Sequence, residues 1–161
     1  MTISVGEKLP DSEFTIMSAD GPAKMSTSEL CAGKKIILVA VPGAFTPTCH
    51  ANHLPGFLEH IDAIKEKGVD TVACVTVNDI HVVTAWEKAS NNNGKIQFLS
   101  DGNADFAKAI GMDIDLGVAG MGTRSMRYSM IVNDGTVETI NLEENPGQAV
   151  VSSAATVLEQ L

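Results

Sequence analysis

Lys34-Lys35-Ile36-Ile37-Leu38-Val39-Ala40-Val41-Pro42-Gly43-Ala44-Phe45-Thr46-Pro47-Thr48-Cys49 decides the architecture of this chain. After two lysines at a solvent edge, Ile36 to Val41 run without a polar interruption. A strand with one wet face alternates, whereas an unbroken apolar run is what a parallel strand covered on both faces requires. Pro42-Gly43 provide a sharp exit, and Thr46-Pro47 read as a helix N-cap followed by proline at the first helical position. Cys49 then falls at the third helical position, where backbone N–H groups lack intrahelical partners and the helix dipole is positive. A thiolate gains there, whereas a structural cysteine is an inert small hydrophobe that needs no capped helix entry.

Beyond Cys49, Leu54, Phe57, Leu58, Ile61 and Ile64 recur at helical spacing, so a helix is expected from Thr46 to about Lys67, bent near Pro55 and ended by Gly68. Thr71 to Val77 reads as the next strand, which makes a strand–helix–strand unit with its chemistry at the strand carboxyl ends. A hairpin around Ser18 to Pro22 and a short helix from Ser26 precede this unit. A helix through Val82 to Trp86, a strand at Ile96–Leu99 and a short helix at Asp105–Ile110 follow it. Asn133-Asp134-Gly135-Thr136 between Arg127–Val132 and Val137–Ile140 signals an antiparallel hairpin that completes the sheet. Gly147 to Leu161 reads as a last helix with Val150, Val151, Ala154, Val157, Leu158 and Leu161 on its buried side. The 161 residues suit one domain, 1–161, with neither a repeat nor a linker.

A net charge of −9 argues against nucleic acid and anionic membranes as partners. No apolar run approaches the roughly 18 residues of a membrane span, and the start carries no targeting pattern. Three cysteines, Cys31, Cys49 and Cys74, form neither a secreted disulfide framework nor paired metal motifs. A cytoplasmic, reducing setting without a metal or cofactor is expected. Gly117 to Gly122 do not make a dinucleotide fingerprint, because they precede a strand and their spacing differs; they read as a mobile loop.

An ordinary thiol, pKa about 8.5, is only a few per cent ionised at neutral pH, and making one nine-tenths ionised takes about 3.4 kcal/mol. A helix terminus supplies about 0.3–1 kcal/mol, up to about 2 when partly buried. A second stabiliser is therefore needed, and a charge-assisted bond from an arginine, worth about 1.5–3 kcal/mol, closes the gap. Only Arg124 and Arg127 are available, and Arg127, at the start of a central strand, is favoured over Arg124 in the glycine-rich stretch.

Pro42 to Cys49, His53-Leu54-Pro55-Gly56-Phe57, Val77-Asn78-Asp79 and Arg127-Tyr128-Ser129-Met130 together resemble a peroxiredoxin of the atypical type II, peroxiredoxin-five-like subfamily, over nearly the whole chain. The resemblance implies a thioredoxin-like α/β fold with a central mixed sheet. It also implies a homodimer, and Cys49 as the peroxidatic cysteine with Pro42, Thr46 and Arg127 as companions. The expected activity is reduction of hydrogen peroxide and alkyl hydroperoxides through a cysteine sulfenic acid. No bound cofactor is implied, only an external thiol reductant, glutathione with glutaredoxin, or thioredoxin.

Regeneration has two routes: a disulfide with Cys74, the candidate resolving cysteine, or direct attack by the external thiol. Some type II relatives carry a second cysteine at the position matching Cys74, and others one near the C-terminus, which is absent here. Cys74 lies about three residues back from its strand end, roughly 10 Å at about 3.3 Å per residue, while disulfides need Cα atoms within about 7 Å. Direct reduction is therefore the favoured route. Thr48 and His50 depart from the commonest subfamily pattern, and His53 reads as packing beside the helix rather than as a Cys–His pair. The alternative from another class is a redox sensor or binding module that oxidises the same cysteine once without turnover.

Overall fold

In the computed structural model, which describes residues 1–161, the strands are β1 (Glu13–Ser18), β2 (Gly21–Ser26), β3 (Lys35–Val41), β4 (Thr71–Thr76), β5 (Gln97–Ser100), β6 (Asp113–Asp115), β7 (Thr123–Ser125), β8 (Tyr128–Asn133) and β9 (Thr136–Leu142). Seven of them form one mixed sheet in the order β2-β1-β5-β4-β3-β8-β9, and β6 and β7 make a separate hairpin. The helices are α1 (Thr27–Cys31), α2 (Leu54–Glu59), α3 (Ile61–Glu66), α4 (Ile80–Ala89), α5 (Asp105–Ala109) and α6 (Ala154–Gln160).

β3 lies between parallel β4 and antiparallel β8, and its residues divide by parity. Ile37, Val39 and Val41 pack with residues of α2, α3, α4 and α6, whereas Ile36, Leu38 and Ala40 pack with residues of α1 and α5. Both faces are dry, which is why the strand carries no alternation. Cys49 and Cys74 belong to the first cluster and Cys31 to the second.

Local side-chain and turn chemistry sets several element ends. Ser26 and Glu29 form a reciprocal capping box on α1, and Asp79 caps α4 through His81 N and Val82 N. Asp134 and Gly135, at φ 48° and 81°, form the left-handed two-residue turn between β8 and β9. Glycine costs least there, and aspartate tolerates the region better than most residues.

Two helices differ from the expectation. The segment after Cys49 is not one bent helix: Cys49–His53 form a π-helical turn, closed by Leu54 N–H to the Cys49 carbonyl, and α2 and α3 are divided at His60. Pro55 lacks the N–H that would have bonded the Ala51 carbonyl, so the ladder widens just before it. The C-terminal helix begins only at Ala154, capped by the Ser153 hydroxyl, not at Gly147. Residues 147–153 form a loop instead, because the Glu143 carboxylate takes the Val150 and Ser152 N–H groups. Val150 and Val151, expected on a buried face, are exposed. The glycine-rich stretch is the tip of the β6–β7 hairpin, closed by Leu116 N–H to the Gly122 carbonyl and Met121 N–H to the Leu116 carbonyl.

Phe57, fully buried in the cluster that contains Cys49, anchors α2 to the sheet. Phe57→Ala is expected to lower stability by about 3–5 kcal/mol through lost burial and an unfilled cavity, read from the urea unfolding midpoint.

Candidate active site

Strand direction gathers the site at one edge of the sheet. The turn Pro42–Pro47 leaves the carboxyl end of β3, and Asn78 follows the carboxyl end of β4. Because β8 is antiparallel to β3, with Tyr128 opposite Ala40, Arg127 enters at that same edge. β9 runs back, with Leu142 opposite Tyr128, and delivers residues 143–153 there too.

The turn is held from below. Asn78 Oδ1 accepts Ala44 N–H at 2.9 Å and the Thr76 hydroxyl at 2.7 Å. Phe45 sits in the left-handed region at φ 63°, an unfavourable conformation for a non-glycine residue. Thr46 precedes the first helical residue, Pro47, and its carbonyl accepts His50 N–H at 2.9 Å. Its hydroxyl does not cap the helix, contrary to the expectation; it donates to the Gly43 carbonyl at 2.8 Å, inside the turn. Cys49 is nonetheless in the first turn, one residue before the first α-type donor.

Arg127 is only 2 % exposed, and its donors are spent on unusual partners. Nη2 donates to Cys49 Sγ at 3.0 Å, Nη1 to His53 Nδ1 at 3.1 Å, and Nε to the Pro146 carbonyl at 3.0 Å. No acidic side chain pairs with it; the one ion pair between side chains in the chain is Lys35–Glu138, at 3.7 Å on the surface. A cation this deep costs several kcal/mol unless acceptors surround it, and here these are the sulfur, an imidazole nitrogen and a backbone carbonyl.

His53 completes the arrangement in the neutral form. Nδ1 accepts from Arg127, so the proton sits on Nε2, which donates to the Ser152 carbonyl at 2.9 Å and lies 3.1 Å from the Ser152 hydroxyl. Burial pushes its pKa down from 6.5 to about 4; Ser152 and Glu143 oppose that shift, and the neighbouring Arg127 charge adds to it. The ring makes no bond to Cys49 and packs edge-on against Phe57, centroids 5.6 Å apart.

Arg124 makes different contacts. It donates from Nε to the Met121 carbonyl and from Nη1 to the Pro42 carbonyl, at 2.8 and 3.3 Å, tying the β6–β7 hairpin to the turn. Gly43 makes this possible, since a Cβ there would stand 2.9 Å from Arg124 Nη1. Beside the turn is a cavity of about 320 Å³, whose walls include Pro42, Thr46, Leu116, Met121, Arg127 and Pro146. Cys49 is fully buried and does not itself line this cavity; Arg127, which does, donates to its sulfur.

The other cysteines are placed less favourably for chemistry. Cys74 pairs in register with Val39 within the sheet and is 1 % exposed. Burial first, and then the neighbouring Cys49, push its thiol far up from the ordinary range. Burial pushes Cys31 up to about 11. Exposed His50 accepts the Trp86 indole N–H at 3.1 Å and faces the Phe45 ring at 5.7 Å. Sequence reading missed Glu143 and Ser152 altogether, because they lie in or beside a stretch whose apolar spacing imitates a helix.

With this geometry in view, the comparisons are consistent with one another. The Redoxin family matches residues 4–158. The chain is similar to chloroplastic peroxiredoxin-2E of Arabidopsis thaliana, 46 % identical over 99 % of this chain and 70 % of that protein. It is also similar to peroxiredoxin-2C of Oryza sativa subsp. japonica, 40 % identical over 99 % and 98 % respectively. Among solved structures, reduced Prx3 in complex with H2O2 from Vibrio vulnificus superposes with a TM-score of 0.94 at 44 % identity, covering 99 % of each chain. The architecture and site define a thioredoxin-like, cysteine-based redox enzyme. The chain belongs to the redoxin family and, within it, is a type II, peroxiredoxin-five-like peroxiredoxin, a thiol-dependent peroxidase.

The buried neutral ring sets a pH dependence. As pH falls from 6.5 towards 4, the unfolded chain binds the His53 proton before the folded chain does, so stability falls through that window. The effect is on the order of 3 kcal/mol when complete. His53→Asn is expected to flatten this part of the loss, measured by urea unfolding at pH 7 and at successive lower values.

Proposed function

We propose that this enzyme reduces hydrogen peroxide and alkyl hydroperoxides at Cys49, with Arg127, Thr46 and Pro42 forming the peroxide site. The observation that carries this reading is the buried Arg127 guanidinium donating to Cys49 Sγ at 3.0 Å without a carboxylate partner. A guanidinium has five N–H donors, and three of Arg127's are engaged, so two remain for a peroxide. The Thr46 hydroxyl has given its proton to Gly43 and presents lone pairs, which suits it to accept the O–H of a hydroperoxide.

In the step itself, the Cys49 thiolate attacks the hydroxyl-bearing oxygen of ROOH, the S–O bond forms as the O–O bond breaks, and RO⁻ departs towards Arg127. Uptake of one proton gives ROH and leaves Cys49 as sulfenic acid. Positioning along the O–O axis and charge stabilisation at the leaving oxygen are what the protein contributes. Apolar walls at Pro42, Leu116 and Met121 would accept the carbon chain of an alkyl hydroperoxide. The crystallised Vibrio vulnificus relative, whose reduced form holds H2O2, supports a peroxide as occupant.

For the return half, one external thiol displaces water from the sulfenic acid to give a mixed disulfide, and a second thiol releases Cys49. Glutathione with glutaredoxin, or thioredoxin, is the proposed donor. Cys74 is the less suitable attacker: it is buried in the sheet and its proton is firmly held. We further propose a single 1–161 domain, working without a bound cofactor in a cytoplasmic, reducing setting, as a homodimer. Exposed Phe45, Val118 and Val150, on loops around the site, supply apolar surface for a second copy.

Cys49→Ser is expected to abolish peroxide turnover, and retained turnover would end this mechanism. Cys74→Ser is expected to keep steady-state turnover with glutaredoxin or thioredoxin. Mass spectrometry after one equivalent of peroxide without thiol should show oxygen added at Cys49; a Cys49–Cys74 disulfide would assign resolution to Cys74.

A further inference from the structure

The segment 143–153, not β8, which follows Arg127, supplies the one remaining contact of the guanidinium beyond the sulfur and the His53 ring. Pro146 offers its carbonyl to Arg127 Nε, and Ser152 offers its carbonyl to His53 Nε2, which turns Nδ1 towards Arg127 Nη1. One carboxylate folds that segment. Glu143, 8 % exposed, accepts Val150 N–H, Ser152 N–H at 2.9 Å and the Ser152 hydroxyl at 3.0 Å, all through Oε1. Its own backbone N–H donates to the Arg127 carbonyl at 3.0 Å, so the same residue also grips the main chain of the arginine.

We infer that Glu143 is a positioning residue for the peroxidase reaction, setting the direction of the Arg127 guanidinium through Ser152 and His53. The inference rests on the reading that Arg127 acts at Cys49. A buried carboxylate satisfied by three donors from one short segment is a stiff clamp, since releasing it would strand an uncompensated charge. The clamp also explains why residues 147–153 stay out of the following helix. Two of their N–H groups, those of Val150 and Ser152, are drawn to Glu143, which keeps the Pro146 and Ser152 carbonyls facing inward.

The chain Glu143 to Ser152 to His53 to Arg127 is directional. The Ser152 hydroxyl donates to Glu143 Oε1, and its oxygen lies within reach of the His53 Nε2 proton. Negative charge at the far end favours the tautomer that leaves Nδ1 free to accept from Arg127. With one N–H tethered at Nε and one at Nη1, the guanidinium plane is fixed and Nη2 is held at the sulfur.

The test is a double-mutant cycle in the full-length protein, reading kcat/KM for peroxide and the pH dependence of Cys49 alkylation by iodoacetamide. Glu143→Ala is expected to lower kcat/KM about tenfold or more, on the scale of a misplaced reacting group, and to move the alkylation profile to higher pH. Glu143→Gln, whose amide oxygen still accepts from the same donors, should recover most of the rate. In an Arg127→Gln background, adding Glu143→Ala should cost nothing further. Ser152→Ala serves where Glu143→Ala folds poorly and should shift the alkylation profile in the same direction. Wild-type kcat/KM in Glu143→Ala, an unmoved profile in both variants, or an equal loss with and without Arg127 overturns the assignment. Arg127→Gln with full activity overturns the underlying reading, and that result is separable because it is seen without touching Glu143.

Discussion

A guanidinium buried to 2 % exposure with no carboxylate beside it is the constraint around which this structure is organised. Burying such a charge is unfavourable by several kcal/mol unless negative charge and hydrogen-bond acceptors surround it. Arg127 has a carbonyl, an imidazole nitrogen and a sulfur. Two of these are neutral. The nearest carboxylate, Glu143, reaches the guanidinium only through Ser152 and His53, so the placement of the sulfur and the stability of the arginine become one problem.

The sheet solves the placement part of that problem. Parallel β3 and β4 end at the same edge, antiparallel β8 begins there, and β9 returns to it, so four loops converge without any of them being long. Asn78 fixes the turn before Cys49, Arg124 fixes the hairpin that walls the cavity, and Glu143 fixes the segment behind Arg127. Helix physics adds a smaller contribution at the first turn, but the Thr46 hydroxyl is turned towards Gly43 rather than used as a cap. The arginine, more than the helix end, carries the electrostatics of this site.

Much of the fold was legible because its signals are local. The unbroken apolar run of β3, the Asp134-Gly135 turn and the short helix entered at Ser26 each state their geometry in a few residues. The site was legible where the signal was chemical: Cys49 behind a proline-entered helix, and a shortage of arginines that left Arg127 as the best cation. What was hidden depends on long-range contacts. Val150 and Val151 have helical spacing, yet Glu143 takes the N–H groups their helix would need. The role of His53 depends on Ser152, 99 positions away, and no periodicity reports such a partner. The β6–β7 hairpin has strands of three residues each, too short for an alternation pattern to show.

The widened turn Cys49–His53 has a bearing on how relatives are aligned. A π-helical turn accommodates roughly one residue more than the α-helical turn it replaces. A homologue that keeps a regular helix here would present its arginine-facing side chain one residue nearer its cysteine, and a column-by-column alignment would match the wrong position. Equivalence between such chains is therefore to be drawn by superposing the sulfur and the guanidinium, with a gap admitted between Cys49 and Pro55.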